Sequence, residues 1–195
     1  MRSAHRPHAA ALPILQGEGI QLGPWPERDA VADAAALARL HADPHAMRYW
    51  STAAWAPDDL PRAHAFLDDV EAGARGGKLL RFAARRPGSP GLVGWVTLFR
   101  IDPPRPRTEI GYLLDPALWG QGFGRRMVHL ALDHAFVAIA AQKVEADVDP
   151  RNAASCRLLE ALGFQREGPL RQGWRSGTER QDSAIYGLIA NEWRG

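Results

Sequence analysis

The sequence is poor in cysteine and in long apolar runs. Its single cysteine, Cys156, has no second cysteine to pair with, so an intrachain disulfide is excluded and a reducing, cytoplasmic compartment is expected. Charged residues interrupt the apolar stretches well before the roughly 20 residues that a membrane helix needs, so we predict no membrane span and no membrane partner. No apolar run of about 7 to 15 residues follows the basic N-terminal residues, and a signal peptide is therefore not expected.

An excess of one charge is also missing. The formal net charge of +2 is too small to indicate a nucleic-acid surface, so no nucleic-acid partner is expected. With 195 residues, of which 46% are hydrophobic and 24% charged, the chain has the length and composition of one globular domain with a sizeable core. We expect that domain over residues 19–195, preceded by a flexible arm over residues 1–18, where no periodicity is visible.

One stretch has glycines where a predicted strand meets a predicted helix. Glu109 to Leu114 is a compact, mostly apolar run that Pro116 ends, and Gly120, Gly122 and Gly124 alternate just before a long apolar helix. Glycines in this position let the backbone approach an anion closely, and the free N–H groups and the positive end of the helix dipole favour negative charge there. The stretch therefore predicts a site for a phosphate or a pyrophosphate.

The order of elements around this loop restricts the phosphate ligand. A Rossmann fingerprint requires G-x-G-x-x-G near the start of the chain, and a P-loop requires a lysine after its glycines; neither pattern is present. Periodicity instead predicts three consecutive antiparallel strands, of which the last leads through the glycine loop and a helix into a further strand. This βαβ unit would have the glycine loop at its first turn. The predicted segments are strands at 79–84, 92–99, 109–114 and 143–148, a helix after Asn152, a polar loop around 171–180 and a last strand at 182–189.

The back half of the chain resembles a known superfamily. The motif W-G-Q-G-F-G-R-R at 119–126, followed by an apolar helix, a strand, D-P-R-N-A-A-S at 149–155 and L-G-F at 162–164, is similar to the GNAT (GCN5-related N-acetyltransferase) pattern. Three further pieces resemble the branch of ribosomal-protein N-terminal acetyltransferases: Leu22-x-Pro24-Trp25, Asp43-Pro44 before Met47-Arg48-Tyr49-Trp50, and Arg180-x-Asp182-Ser183-x-Ile185-Tyr186. The resemblance implies an α+β fold of the three-layer α/β type, with a mixed, mostly antiparallel sheet of roughly six to seven strands, about four helices and a central βαβ cofactor site.

The resemblance also implies a cosubstrate and a reaction. Acetyl-CoA would be held through its pyrophosphate by the loop, with contacts from Gln121, Gly122, Phe123, Gly124, Arg125 and Arg126. Leu113 and Leu114 would pair with its pantetheine arm, and Asn152 would bind the pantetheine or the substrate backbone. The reaction implied is direct acetyl transfer to a primary amine by an enzyme without a metal, active as a monomer or homodimer.

The acceptor amine stays open. A protein N-terminal α-amino group is what the resembled branch implies. A small-molecule amine, such as an amino acid, a polyamine or an antibiotic, is the alternative within the same chemistry. A protein of this fold that binds acyl-CoA as a regulatory module without turnover is the alternative of a different class. Tyr49 and Trp50 are candidates for lining the acceptor site, although they could equally pack between helices.

Glu109 and Ser155 are the candidate catalytic residues. Glu109 begins the strand beside the loop and could accept the amine proton through water; alternatively, it is a solvent-facing carboxylate at a strand end. Ser155 follows Asn152 by three residues, so both lie on one side of the first helical turn. In the resembled branch this serine is proposed to hydrogen-bond or protonate the thiol, whereas the alternative is that Asn152 is only a helix cap with Ser155 beside it. Leu159 stands where many relatives have a tyrosine acid, so that residue cannot donate a proton here.

Overall fold

Strands of alternating polarity form one eight-stranded sheet in the part of the chain that the computed structural model describes, residues 12–25, 30–75, 77–102, 106–176 and 179–195. The strands are β1 (Leu15–Gly17), β2 (Ile20–Gly23), β3 (Leu79–Arg85), β4 (Leu92–Asp102), β5 (Arg107–Leu114), β6 (Lys143–Val148), β7 (Gln165–Ser176) and β8 (Glu179–Ile189). The helices are α1 (Ala30–Ala42), α2 (Leu60–Arg75), α3 (Phe123–Asp133) and α4 (Ala153–Ala161), with a 3-10 turn at Pro116–Leu118 and a π-helical turn at His134–Ala138.

The sheet runs in the order β1-β2-β3-β4-β5-β6-β8-β7. Each neighbouring pair is antiparallel except β5 and β6, which are parallel and connected through α3. The predicted βαβ unit with the glycine loop at its first turn is therefore confirmed. This parallel pair is short: only Arg107–Glu109 aligns with Lys143–Glu145. Because β5 stays paired to β4 up to Leu114, and β6 to β8 up to Val148, the two strands diverge after Glu109 and leave an opening in the sheet.

Two hydrophobic clusters cover the two faces of the sheet. Successive residues of a strand point to opposite faces, so Phe82 lies in the cluster that includes Met127 of α3, whereas Ala83 lies in the cluster that includes Leu37 of α1. α3 and α4 therefore lie on one face, and α1 and α2 on the other. The opening between β5 and β6 connects these two sides. Among the described residues, no helix combines the length and the apolar character needed to cross a bilayer.

Three sequence-based expectations differ from the structure. The sheet has eight strands rather than six to seven, because Leu15–Gly17 pairs with β2 inside the segment expected to be an arm. A strand of three residues is too short to produce a visible period. Residues 1–11 of the expected arm lie outside the described residues, and a single domain over 19–195 stays a prediction. The polar loop expected around 171–180 instead continues β7 and β8, which pair with each other beyond the end of β6 and so have no core to impose apolar alternation.

Candidate active site

A cavity of about 880 Å³ occupies the opening between the diverging strands. Its wall is formed by β5, by the glycine loop before α3, by the first turn of α4 and by the segment after α1 that contains Tyr49 and Trp50. It therefore contacts elements from both helical layers. One end lies at the glycine loop, and the other is lined by aromatic and charged side chains.

The glycine loop has the backbone geometry of an anion site. Gly120 and Gly122 have φ angles of 72° and 78°, in the left-handed region where a Cβ is strained. Gly122 is the N-cap of α3, and no side chain caps that helix. The first intrahelical bond runs from the Arg126 N–H to the Gly122 carbonyl, at 3.1 Å, so the amides before it are left for an external acceptor. A Cβ on Gly124 would lie 3.0 Å from Leu158, so glycine allows α4 to approach this turn.

The residues of the loop that were predicted to bind the cosubstrate divide into two groups. Gly122, Gly124 and Arg125 line the cavity, as the resemblance implies. Gln121, Phe123 and Arg126 do not lie among the lining residues. Gln121 instead donates through Nε2 to the Ala117 carbonyl at 2.8 Å, and Arg126 donates through Nη2 to the Gln121 carbonyl at 3.2 Å. The Arg126 guanidinium also lies 4.8 Å from the centre of the Phe123 ring. These three side chains therefore stabilise the shape of the loop.

The backbone groups of β5 that face the opening are those of Tyr112 and Leu114, whereas Leu113 and Leu114 were predicted to pair with the pantetheine arm. The Asp115 N–H donates to the Val93 carbonyl at 2.8 Å, and residues of an antiparallel pair alternate between bonded and open positions. This register directs the N–H and C=O groups of Leu113 towards β4, and those of Tyr112 and Leu114 towards the opening. The Leu114 carbonyl accepts a bond from Trp119 Nε1 at 3.0 Å. Leu113 and Leu114 both line the cavity, but the backbone of Leu113 is not free for the predicted pairing.

Glu109 is the last residue of β5 that pairs with β6, and it lies at the point where the strands diverge. It is buried, lines the cavity, and accepts a bond from Arg100 Nη1 at Oε2, at 2.7 Å. Burial raises the pKa of its carboxyl, Arg100 lowers it, and the nearby Asp147 and Glu145 carboxylates raise it further. The net upward shift moves Glu109 towards the range in which a carboxylate is an effective general base. The alternative of a solvent-facing carboxylate at a strand end is wrong.

Ser155 is hydrogen-bonded to Tyr112, which was not among the residues predicted from the sequence. Asn152 caps α4, accepting a bond from the Ser155 N–H at Oδ1, at 3.1 Å, so its role as a cap is confirmed. The Ser155 hydroxyl lies 2.6 Å from the phenolic oxygen of Tyr112. Burial raises the pKa of Tyr112, which keeps its phenol protonated at neutral pH. Leu159 is fully buried in the core.

Tyr112 supplies the phenolic group that the helix lacks, from a different element. The signal that could have indicated it is the alternation of β5, because residues on the face of Ile110 and Leu114 point towards α3 and α4. Tyr112 is the polar residue on that face. Its contact with Ser155 spans 43 residues of sequence and depends on where α4 lies against the sheet, which the local pattern does not specify.

The opposite end of the cavity is aromatic and charged. Tyr49 and Trp50 both line it, as do Trp95 and Trp174. The rings of Trp50 and Trp95 lie 5.2 Å apart, so Trp50 both packs and lines the cavity. Within the described ranges, no group of three or more His, Cys, Asp and Glu side chains is arranged so that it could hold a metal ion.

Comparison with known proteins identifies relatives over most of the chain. The acetyltransferase (GNAT) domain model matches residues 24–165. The uncharacterized N-acetyltransferase p20 of Bacillus licheniformis is 28% identical over 163 residues, which cover 84% of this chain and 90% of that protein. Mycobacterium smegmatis RimJ, solved in complex with CoA-disulfide, has a TM-score of 0.79 and 25% identity, and the match covers 93% of this chain and 86% of RimJ. The ribosomal-protein-S5-alanine acetyltransferase of Vibrio fischeri, at 23% identity and a TM-score of 0.80 over 94% of this chain and 100% of the other, shares the fold.

Proposed function

Because the chain belongs to the acetyltransferase (GNAT) family, we propose that it moves the acetyl group of acetyl-CoA directly to a protein N-terminal α-amino group at the opening between β5 and β6. The family predicted from the glycine loop and the D-P-R-N-A-A-S motif is confirmed, and with it the class of acetyl-CoA-dependent N-acetyltransferases. The acceptor, the roles of individual residues and the mechanism are the content of the proposal. The observation that carries it is the position of Glu109 where β5 and β6 diverge, with the Tyr112–Ser155 pair lining the same cavity.

The residues of the cavity fit acetyl-CoA, which supplies the acetyl thioester. The uncapped N-terminus of α3, after Gly120 and Gly122, offers N–H groups suited to a pyrophosphate. The backbone groups of β5 that face the opening offer the pairing that an amide-containing arm requires. Arg125 and Arg157 line the cavity near the loop and add positive charge for phosphate.

Glu109 is the proposed general base. An α-amino group has a pKa of about 7.7 to 8.0, so much of it is protonated at neutral pH and must lose a proton before it can attack. That proton leaves to water. Glu109 takes the second proton, which the attacking nitrogen loses as the C–N bond forms, directly or through one water, because the pKa of Glu109 is raised by burial and its side chain lines the cavity. Arg100, hydrogen-bonded to Oε2, holds the carboxylate in place and limits the rise in its pKa.

The Tyr112–Ser155 pair is the proposed proton donor. As the C–N bond forms and the C–S bond breaks, the departing sulfur gains negative charge and needs a proton. Ser155 donates its hydroxyl proton, and Tyr112 replaces it from its phenol across the 2.6 Å hydrogen bond. The proton that Glu109 received from the amine balances the one that the pair has given, and exchange through cavity water restores all three groups. This donor removes the reason, the missing tyrosine at Leu159, for considering a non-catalytic acyl-CoA-binding module.

The test is release of CoA thiol from acetyl-CoA in the presence of short peptides whose α-amino group is free or formylated. We expect release and acetylated product only with the free amine. Glu109→Gln and Ser155→Ala should lower kcat by more than about tenfold and leave the affinity for acetyl-CoA little changed. Glu18 is an exposed carboxylate in the turn between β1 and β2. Glu18→Gln is therefore the matched control and should behave as the unaltered protein. Binding of acetyl-CoA without thiol release from any amine would overturn the proposal.

A further inference from the structure

The wall of the cavity includes a guanidinium group that is almost completely buried. Arg81 of β3 lines the cavity, and its side chain is only 12% exposed. Its Nε donates to Thr97 Oγ1 at 2.8 Å, whereas its buried Nη1 has no hydrogen-bond acceptor among the described residues. The carboxylate nearest to Nη1 is that of Asp69, at 3.7 Å, on a side chain that is 67% exposed. The charge is therefore only weakly compensated by the protein.

Aromatic rings hold this guanidinium in one position. It lies 4.0 Å from the centre of the Phe66 ring and 5.6 Å from that of Trp95. Trp95 is itself buried, lines the cavity, and has an Nε1 donor without an acceptor in the described part of the chain. Burying a charge or an N–H group without a full set of partners is unfavourable. Arg81 therefore brings to the cavity wall a positive charge that the protein compensates only weakly.

Arg81 and Glu109 lie on the same face of the sheet. In the antiparallel register Arg81 aligns with Thr97 and Thr97 with Gly111, and Glu109 lies two residues before Gly111 on the same face. Two strand spacings of about 4.8 Å and two residues of about 3.4 Å separate the Cα atoms of Arg81 and Glu109 by roughly 12 Å. Both side chains line the same cavity.

We propose that the acceptor carries a carboxylate in addition to its reacting amine, with the carboxylate bound by Arg81 and the amine directed towards Glu109. This inference rests on the proposed function and narrows its acceptor. A positive amine is favoured near Glu109, where Asp147 adds a second carboxylate, and a negative group is favoured near Arg81. A polyamine would place positive charge against Arg81. In the protein N-terminus of the proposed function, this carboxylate is an acidic side chain that follows the N-terminal residue. The α-carboxylate of a free amino acid has the same chemistry, and its selection in the test would replace the protein N-terminus as the acceptor.

The experiment compares acceptors in pairs that differ only in the carboxylate. L-Alanine is compared with L-alaninamide, and a C-terminally amidated alanyl-glutamyl peptide with its alanyl-glutaminyl counterpart; spermidine is a further acceptor. We expect kcat/KM to be at least about tenfold higher for the carboxylate member of one pair, and that pair identifies the source of the carboxylate. Equal use of both members in each pair, or preferred use of spermidine, would overturn the inference while leaving acetyl transfer intact. Absence of acetylated product from every amine would overturn the proposed function itself.

The variants test whether Arg81 is responsible. Arg81→Gln should remove the preference by lowering kcat/KM for the carboxylate member at least about tenfold, mainly through KM, with the amide member and acetyl-CoA little affected. Asp69→Asn removes only the weak ion pair outside the cavity and should retain the preference. If Arg81→Gln does not fold, Arg81→Lys takes its place and should lose part of the preference, because lysine keeps the charge but not the fork. An equal loss in Asp69→Asn, or an equal loss for both members of the pair, would show that Arg81 acts only through the packing of α2 on β3.

Discussion

The phenolic oxygen of Tyr112 on β5 lies 2.6 Å from the hydroxyl oxygen of Ser155 in the first turn of α4. This bond connects the strand that borders the opening to the helix on the other side of it. One hydroxyl group donates its proton to the oxygen of the other, and either of the two can be the donor. The pair is the proton donor that we propose in place of a tyrosine at the position of Leu159.

The pair should act as one unit. Tyr112→Phe and Ser155→Ala should each lower kcat by about 10- to 100-fold with little change in KM for acetyl-CoA, because both remove the same donor. Since the two groups work in sequence, the double variant should be no slower than the slower single variant. Steady-state kinetics at saturating acetyl-CoA measures this. Losses that multiply in the double variant would show that the two hydroxyl groups act independently.

Arg100 should set the pH at which Glu109 becomes active. Its guanidinium, 2.7 Å from Glu109 Oε2, lowers a pKa that burial raises. Removing it in Arg100→Ala raises the pKa of Glu109 further, and a general base must be deprotonated, so the acidic limb of the kcat/KM profile should move to higher pH. Arg107→Ala removes an exposed cation that pairs with Glu145 at 3.8 Å and is the matched control. An acidic limb that stays in place in Arg100→Ala would exclude Glu109 as the base.

Gly122 should be required for binding acetyl-CoA. Its φ of 78° is strained for any residue with a Cβ, and a Cβ there would lie 3.2 Å from Arg126 Nη1. Gly122→Ala should therefore raise KM for acetyl-CoA several-fold, at roughly 1 to 2 kcal/mol of backbone strain. Gly88→Ala imposes similar strain, at a φ of 74°, in the turn between β3 and β4, where no atom lies within 4 Å of the added Cβ. Equal KM values for the two variants would mean that the loop does not contact the cosubstrate.

His41 should make the stability of the fold sensitive to acid. It is buried and stacked on Trp55 at 4.1 Å, and burial lowers its pKa from 6.5 to about 4. Between those two pH values the unfolded chain binds a proton that the folded chain does not, so the free energy of unfolding should fall as the pH falls, by up to about 3 kcal/mol. His41→Phe should flatten this part of the profile in urea unfolding.

The control for this prediction is His64→Phe. His64 is exposed, yet its Nδ1 lies 2.8 Å from the Leu60 carbonyl, in the same i to i−4 relationship that His41 has with Leu37 at 3.0 Å. His64→Phe should leave the acid dependence of the stability unchanged, because burial of the imidazole, and not its contact with the helix carbonyl, causes that dependence. An unchanged slope in His41→Phe would assign the acid sensitivity to other groups.

Local features of the chain were predictable because they depend on neighbours in sequence. The glycine loop, the strand before it and the cap of α4 by Asn152 each follow from turn, period and capping chemistry within a few residues. Gly120, Gly122 and Asn152 have the backbone roles that these patterns indicate. The βαβ arrangement followed from the order of such local units.

Contacts that join distant segments were not predictable in this way. The bond of Tyr112 to Ser155, the burial of Arg81 between Phe66 and Trp95, and the register that turns Leu113 towards β4 all depend on how layers pack. No periodic pattern specifies which side chain of a helix lies opposite which residue of a strand.

In the proposed reaction, the acetyl group passes directly from acetyl-CoA to an α-amino group in the cavity beside Glu109. Single-turnover mixing of the protein with acetyl-CoA and a peptide with a free N-terminus, followed by mass spectrometry of both peptide and protein, tests it most directly. We expect the peptide to gain one acetyl group at its α-amine for each CoA thiol released, the protein to stay unmodified, and Glu109→Gln to slow both events equally. An acetylated protein that forms before the product, or thiol release without an acetylated peptide, would contradict it.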